Sequence, residues 1–137
     1  MSFRYWALLS ALFAGLTALL AKKGVENVPS NLAVAVRVAV VLMFSVGIAI
    51  YTHQNKINEI SSRAWLFLVL SGIATGASWL CYFRALKLGP ISQVAPIDKL
   101  SFVIAMALGV VFLGEKPTNN LIAGAVLIVV GVLITLR

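Results

Sequence analysis

The chain has 137 residues, of which 61% are apolar and 11% charged, against about 25% charged in a soluble domain. That leaves too little polar side-chain surface to cover a water-soluble globule, so an ordinary soluble enzyme is excluded before any motif is sought. The net charge of +7 comes from basic residues scattered between long uncharged runs; no stripe could track a phosphate backbone, and no nucleic-acid partner is expected.

The uncharged runs cover residues 5–21, 38–52, 64–83, 100–114 and 117–136. About 20 helical residues cross a hydrocarbon core of roughly 30 Å. Extending the shorter runs past Arg37, Asp98 and Lys99 predicts five transmembrane helices, at about 3–21, 31–51, 64–86, 91–113 and 118–136. Three spans with two re-entrant pieces is the alternative. Strands do not fit. VAVVLMF and GAVLIVVGVLI lack the alternation of a membrane barrel, and in lipid each backbone group must bond locally. The expected fold class is all-α, a polytopic membrane protein formed as a single domain over 1–137.

Helix 3–21 carries Tyr5 and Trp6 at its edge and stops at Lys22-Lys23-Gly24, with Gly24 suited to a C-terminal cap. No small-x-small site precedes Lys22, so the run reads as a retained span and not a cleaved signal. Pro29-Ser30-Asn31 offers a stop and then a capping side chain for helix 31–51, which contains Arg37 and ends at Tyr51. Residues 52–63 form the substantial polar loop. Its His53 has no clustered cysteine or carboxylate, so neither a metal nor a cofactor is expected. Ser61 or Ser62 can cap helix 64–86, where Trp65 lies near the start. Gly72 and Gly76 form a GxxxG pair that permits close helix packing. Trp79 and Tyr82 follow, with Cys81 between them as a small apolar thiol. Gly89-Pro90 separates helix 91–113, which opens with Ser92 and Gln93 and carries Pro96, Asp98 and Lys99. Pro117 suits the first turn of helix 118–136.

Five spans place Arg4, Lys56, Arg63 and Lys116 on the amino-terminal side and Lys22, Lys23, Arg84, Lys87 and Arg137 on the other. The positive-inside rule acts through such a difference, and here the amino terminus nearly cancels it. Two readings stay open. One is a single orientation. The other is insertion both ways with an antiparallel homodimer, which would build an inverted-repeat architecture from two copies.

Arg37, Asp98 and Lys99 lie at one depth, seven or eight residues from the same side, roughly 10–12 Å in. Each is costly alone, about 2.5–3.5 kcal/mol at mid-helix. On a continuous helix the neighbours Asp98 and Lys99 diverge by about 100°, so Arg37 is the better partner for Asp98. Lys99 is then left for helix carbonyls, a partner subunit or an anionic solute. The plainer reading is snorkelling lysine and arginine and a purely structural pair. Pro96 removes one amide donor, frees the carbonyl of Ser92 and predicts a helix kink of the kind seen at transporter sites. Ser92 and Gln93 can hydrogen-bond into the same space, or simply lie at the lipid interface. Trp79 and Tyr82 sit at a matching depth as cavity walls, or as ordinary core and interface aromatics.

No metalloprotease helix, phosphate loop, nucleophile elbow or acid pair is present. No enzyme activity is expected, and transport would need a gradient, exchange or a separate driving protein.

The run Trp79-Leu80-Cys81-Tyr82-Phe83-Arg84-Ala85-Leu86-Lys87-Leu88-Gly89-Pro90, then Ser92 and Val94-Ala95-Pro96, resembles the third-to-fourth helix passage of the EamA-type domain. So does Phe112-Leu113-Gly114-Glu115 with Pro117 before a glycine-bearing last helix. This domain belongs to the drug/metabolite transporter superfamily, and the likeness covers essentially the whole chain. It implies a five-helix protein of the bacterial or archaeal inner membrane that exports or exchanges small metabolites or amino acids. Larger relatives carry two such repeats, so one repeat implies a dimer, with an inverted partner. The Asp98-Lys99 pair is not a general mark of the two-repeat transporters, so their substrates do not carry across.

The first functional reading is a secondary transporter of a small polar or anionic solute, with Arg37, Asp98, Lys99, Trp79, Tyr82, Ser92 and Gln93 at its site. The second is lipid-linked substrate flipping. The third is a non-transporting membrane assembly subunit. All three act within the lipid bilayer.

Overall fold

The computed structural model describes residues 2–136, so Arg137 lies outside the described residues. The elements are α1 (Phe3–Val25), α2 (Ser30–Tyr51), α3 (Ser62–Leu88), α4 (Ile91–Asp98), α5 (Leu100–Leu113) and α6 (Asn119–Thr135). A short 3₁₀ turn at Ile57–Glu59 lies in the polar loop. Among the described residues, four stretches are long and apolar enough to cross a membrane: Phe3–Val25, Ser30–Tyr51, Ser62–Leu88 and Ile91–Leu113. The last combines α4 and α5. The helix expected at 118–136 has 17 residues, about 25 Å at 1.5 Å per residue, the bottom of the range that spans. The chain is thus all-α and multi-pass. It divides into two compact units, one ending at Leu88 and one starting at Gly89.

In the first unit, Ser2 caps α1, its hydroxyl accepting from the Arg4 amide at 3.3 Å. α1 does not stop at Gly24 as expected. It runs through Gly24 to Val25, with Glu26 as C-cap. Val25 is completely buried, and packing it outweighs the roughly 1 kcal/mol that an interior glycine costs a helix. α2 also starts differently. Pro29 is the flanking residue and no side chain caps it; Ser30 and Asn31 already belong to the helix. Ser30 is buried. At the start of α3 the expected cap is present: Ser61 Oγ accepts from the Ala64 amide at 3.2 Å.

The buried residues of this unit are Ala18, Val25, Ser30, Val34, Phe83 and Leu86. They occupy the end of α1, the beginning of α2 and the end of α3. The opposite halves expose Leu8, Leu12, Leu42, Phe44, Leu66 and Leu70. Such oily faces are what a lipid-facing helix presents.

In the second unit, the fourth span is interrupted at Lys99, three residues beyond the proline expected to kink it. The Lys99 amide bonds the Pro96 carbonyl at 3.0 Å and the Phe102 amide bonds the Lys99 carbonyl at 3.1 Å. These i to i−3 bonds tighten the path into a 3₁₀-like turn. Proline cannot donate to the Ser92 carbonyl, and the tightened turn lies three residues beyond it. α5 ends at Gly114, whose φ of 67° is left-handed. α6 starts with Thr118, whose side chain accepts from the Leu121 amide at 3.3 Å. Pro117 therefore precedes the cap and is not in the first turn. Gly109, Ala125 and Val132 are the buried residues of this unit.

Candidate functional site

In the first unit the polar chemistry gathers at Arg37. Trp79 and Phe83 are four residues apart on α3 and so share a face. That face meets α2 at Arg37, whose guanidinium carbon lies 4.2 Å from the Trp79 ring centre and 5.4 Å from that of Phe83. A cation over an aromatic face gains about 0.5–1 kcal/mol when exposed and about 2 or more when desolvated. Trp79, placed by the sequence at the depth of Arg37 as a cavity wall, touches Arg37, but neither Trp79 nor Tyr82 is among the residues lining the adjoining cavity. Tyr82 is half-buried beside them, its ring 6.5 Å from Phe83 and tilted 68°.

A cavity of about 390 Å³ adjoins this cluster, a volume within the range of small-molecule sites. Leu20, Ala21 and Gly24 line it from α1, Ala33, Val36 and Arg37 from α2. Val28 from the connecting turn and Phe83 from α3 complete the apolar wall, and Thr17 adds a hydroxyl-bearing side chain. The small side chains of Ala21, Gly24 and Ala33 leave the room. Sequence reasoning missed the contribution of α1, because residues 5–21 of that helix carry no charge. The spacing of Ala21 and Gly24 was the one available signal.

Two lysines counted only for topology have specific partners. Lys22 Nζ donates to the Leu86 carbonyl at 2.6 Å, and Lys87 Nζ donates to the Val28 carbonyl at 2.7 Å. Both reach across to backbone groups that a helix end or turn leaves without an intrahelical partner. The two acids of this unit are engaged by lysines on their own segments: Glu26 with Lys23 at 3.3 Å and Glu59 with Lys56 at 2.9 Å. A Cβ placed on Gly72 or Gly76 would meet nothing within 4 Å, so among the described residues no helix closes on this pair.

In the second unit, Ser92 and Gln93 are exposed in the first turn of α4 and Pro96 is half-buried. Asp98 and Lys99 do not diverge: Lys99 Nζ lies 3.6 Å from Asp98 Oδ2. The turn at Lys99 removes the regular helical spacing on which the expected divergence rested. With side chains 61% and 38% exposed, the pair contributes little to stability in water.

Comparison with known proteins places this geometry. The model of the EamA-like transporter family matches residues 2–137. An uncharacterized transporter in the cobO 3′ region of a Sinorhizobium species is 56% identical over 116 residues, covering 84% of this chain and 82% of that protein. The uncharacterized transporter YxxF of Bacillus subtilis strain 168 is 30% identical over 135 residues, covering 96% of this chain. The chain spans 41% of that relative's length. No solved structure matches. The sequence match through both units, together with the succession of long apolar helices, shows that the chain belongs to the EamA-like transporter family, a group of multi-pass membrane transporters and not of enzymes.

Proposed function

We propose that the chain is a secondary transporter, exporting or exchanging a small polar or anionic solute across a bacterial or archaeal cytoplasmic membrane. The observation that carries this reading is Arg37, a cation in the second span, held on Trp79 at the wall of a cavity. A charge in that position is expensive, and an anionic solute group would offset its cost. Asp98, Lys99, Ser92 and Gln93 of the second unit join Arg37, Trp79 and Tyr82 as the residues proposed to bind or couple the solute. Both bacterial relatives are described as transporters, which supports the localisation and the activity class. In this reading α6 is the fifth span and both units act as one domain. Two copies complete the transporter, and the open strip at Gly72 and Gly76 offers the second copy a close approach.

Flux in sealed proteoliposomes tests the proposal. A panel of small metabolites should include at least one solute moved by the wild-type protein. The Asp98→Asn/Lys99→Ala double variant should move it at least tenfold more slowly. Identical flux by the two proteins across the panel removes Asp98 and Lys99 from the pathway. Transbilayer movement of a labelled lipid, with no solute flux, replaces solute transport by lipid flipping.

A further inference from the structure

The cavity of the first unit has a narrower chemistry than a general polar site. Its lining is apolar apart from Thr17 and Arg37. The Arg37 guanidinium carbon lies 4.2 Å from the Trp79 ring centre, and a guanidinium carries five N–H donors in a planar fork. Those donors form the fork that matches a carboxylate. Within the first unit, both acids already face other lysines, Glu26 with Lys23 and Glu59 with Lys56. The cavity therefore presents one cationic fork and an oily wall, and none of its described lining residues is a carboxylate that could receive an ammonium.

We infer that this cavity binds a small monocarboxylate with an apolar body, the carboxylate on the fork of Arg37 and the body against Leu20, Val36 and Phe83. One fixed positive charge neutralises one negative charge, which favours a monoanion over a phosphate dianion. A zwitterionic amino acid is disfavoured because its ammonium would enter an apolar space unpaired. Thr17 and Gly24 are seven positions apart, which gives the pocket a length of about 10 Å along α1, enough for a short carbon chain. The inference rests on the transport reading for its biological purpose, while binding itself is measured independently.

The test uses the protein in nanodiscs with Trp6→Phe and Trp65→Phe, which leave Trp79 as the emitting tryptophan, and hexanoate as the probe. Hexanoate should change Trp79 emission saturably, with 1-hexanol and norleucine binding at least tenfold more weakly. Arg37→Gln should weaken hexanoate at least tenfold. Gly24→Leu should abolish the response without unfolding the protein, since its Cβ meets nothing within 4 Å, leucine favours the helix, and its side chain occupies the cavity. Equal binding of 1-hexanol would reduce the site to an apolar slot, and a hexanoate response that survives Gly24→Leu would move binding elsewhere. Either result, or no saturable response, overturns the inference. Hexanoate binding with no flux of any solute in sealed vesicles removes the transport reading and leaves this site. Flux of other solutes with no hexanoate binding does the reverse.

Discussion

His53 ends α2 in the left-handed region, at φ 56°. Its amide bonds the Ile50 carbonyl at 3.0 Å, and the Gln54 amide bonds Ala49 at 2.9 Å. These two bonds close a Schellman turn, which needs a left-handed residue at this position. A residue with a Cβ spends about 1–2 kcal/mol there. His53→Gly should therefore raise stability by about 1 kcal/mol, read as an upward shift in the thermal midpoint in detergent. Gly114, at φ 67°, holds the same conformation without that strain. Gly114→Ala should lower stability by about 1 kcal/mol. A shift of the same sign in both variants would remove backbone conformation as the cause. The contrast also explains a misreading. Gly24 after two lysines has the sequence of a C-cap, but the burial of Val25 carries the helix past it, and burial is not written in a local motif.

At the scale of elements, the end of α3 is tied to the rest of its unit through Lys22 to Leu86 and Lys87 to Val28. Hydrogen bonds from charged donors contribute about 1.5–3 kcal/mol. Lys22→Met and Lys87→Met should each lower stability by about 1–2 kcal/mol, because methionine keeps the apolar stem. Leu86 and Lys87 are neighbours, so freeing one tie loosens the other. The double variant should lose less than the sum of the singles, by at least about 0.5 kcal/mol. Strict additivity in denaturant titrations would show two independent caps. None of this was legible in the sequence, since a lysine that reaches a distant carbonyl leaves no spacing rule. What was legible rested on simpler physics. The absence of charge located the spans, Gly89-Pro90 separated α3 from α4, and Ser61 marked the start of α3. Pro96 announced the broken span but not its place, because the missing donor marks the proline while the tighter turn falls at Lys99. The site was legible only in part: depth brought Trp79 to the level of Arg37 but named Asp98 as the partner of Arg37, whereas the cavity beside it depends on small residues whose packing no periodicity reveals.

At the scale of the whole chain, orientation in the membrane depends on a small charge difference. Lys22 and Lys87 count toward the positive-inside balance as basic residues, whatever backbone groups they also cap. On the proposed five-span topology that balance is nearly even, and the drive toward one orientation is correspondingly weak. We propose insertion both ways, giving an antiparallel pair, against the other open reading of a single orientation. A cysteine at Gln54 in a Cys81→Ser background should then react with impermeant reagent from both sides of the membrane. Adding charge to the same loop should end the ambiguity: Asn55→Lys with Asn58→Lys raises its basic count and draws it to the cytoplasmic side, leaving labelling from that side alone. Transport by the charged variant should fall with the loss of oppositely oriented copies, and co-expression with a variant biased the other way, through added lysines in the turn at Asn27, should restore it. One-sided labelling of the parent protein would instead establish a single orientation and remove the antiparallel pair, because a homodimer of opposed copies requires that both orientations be made.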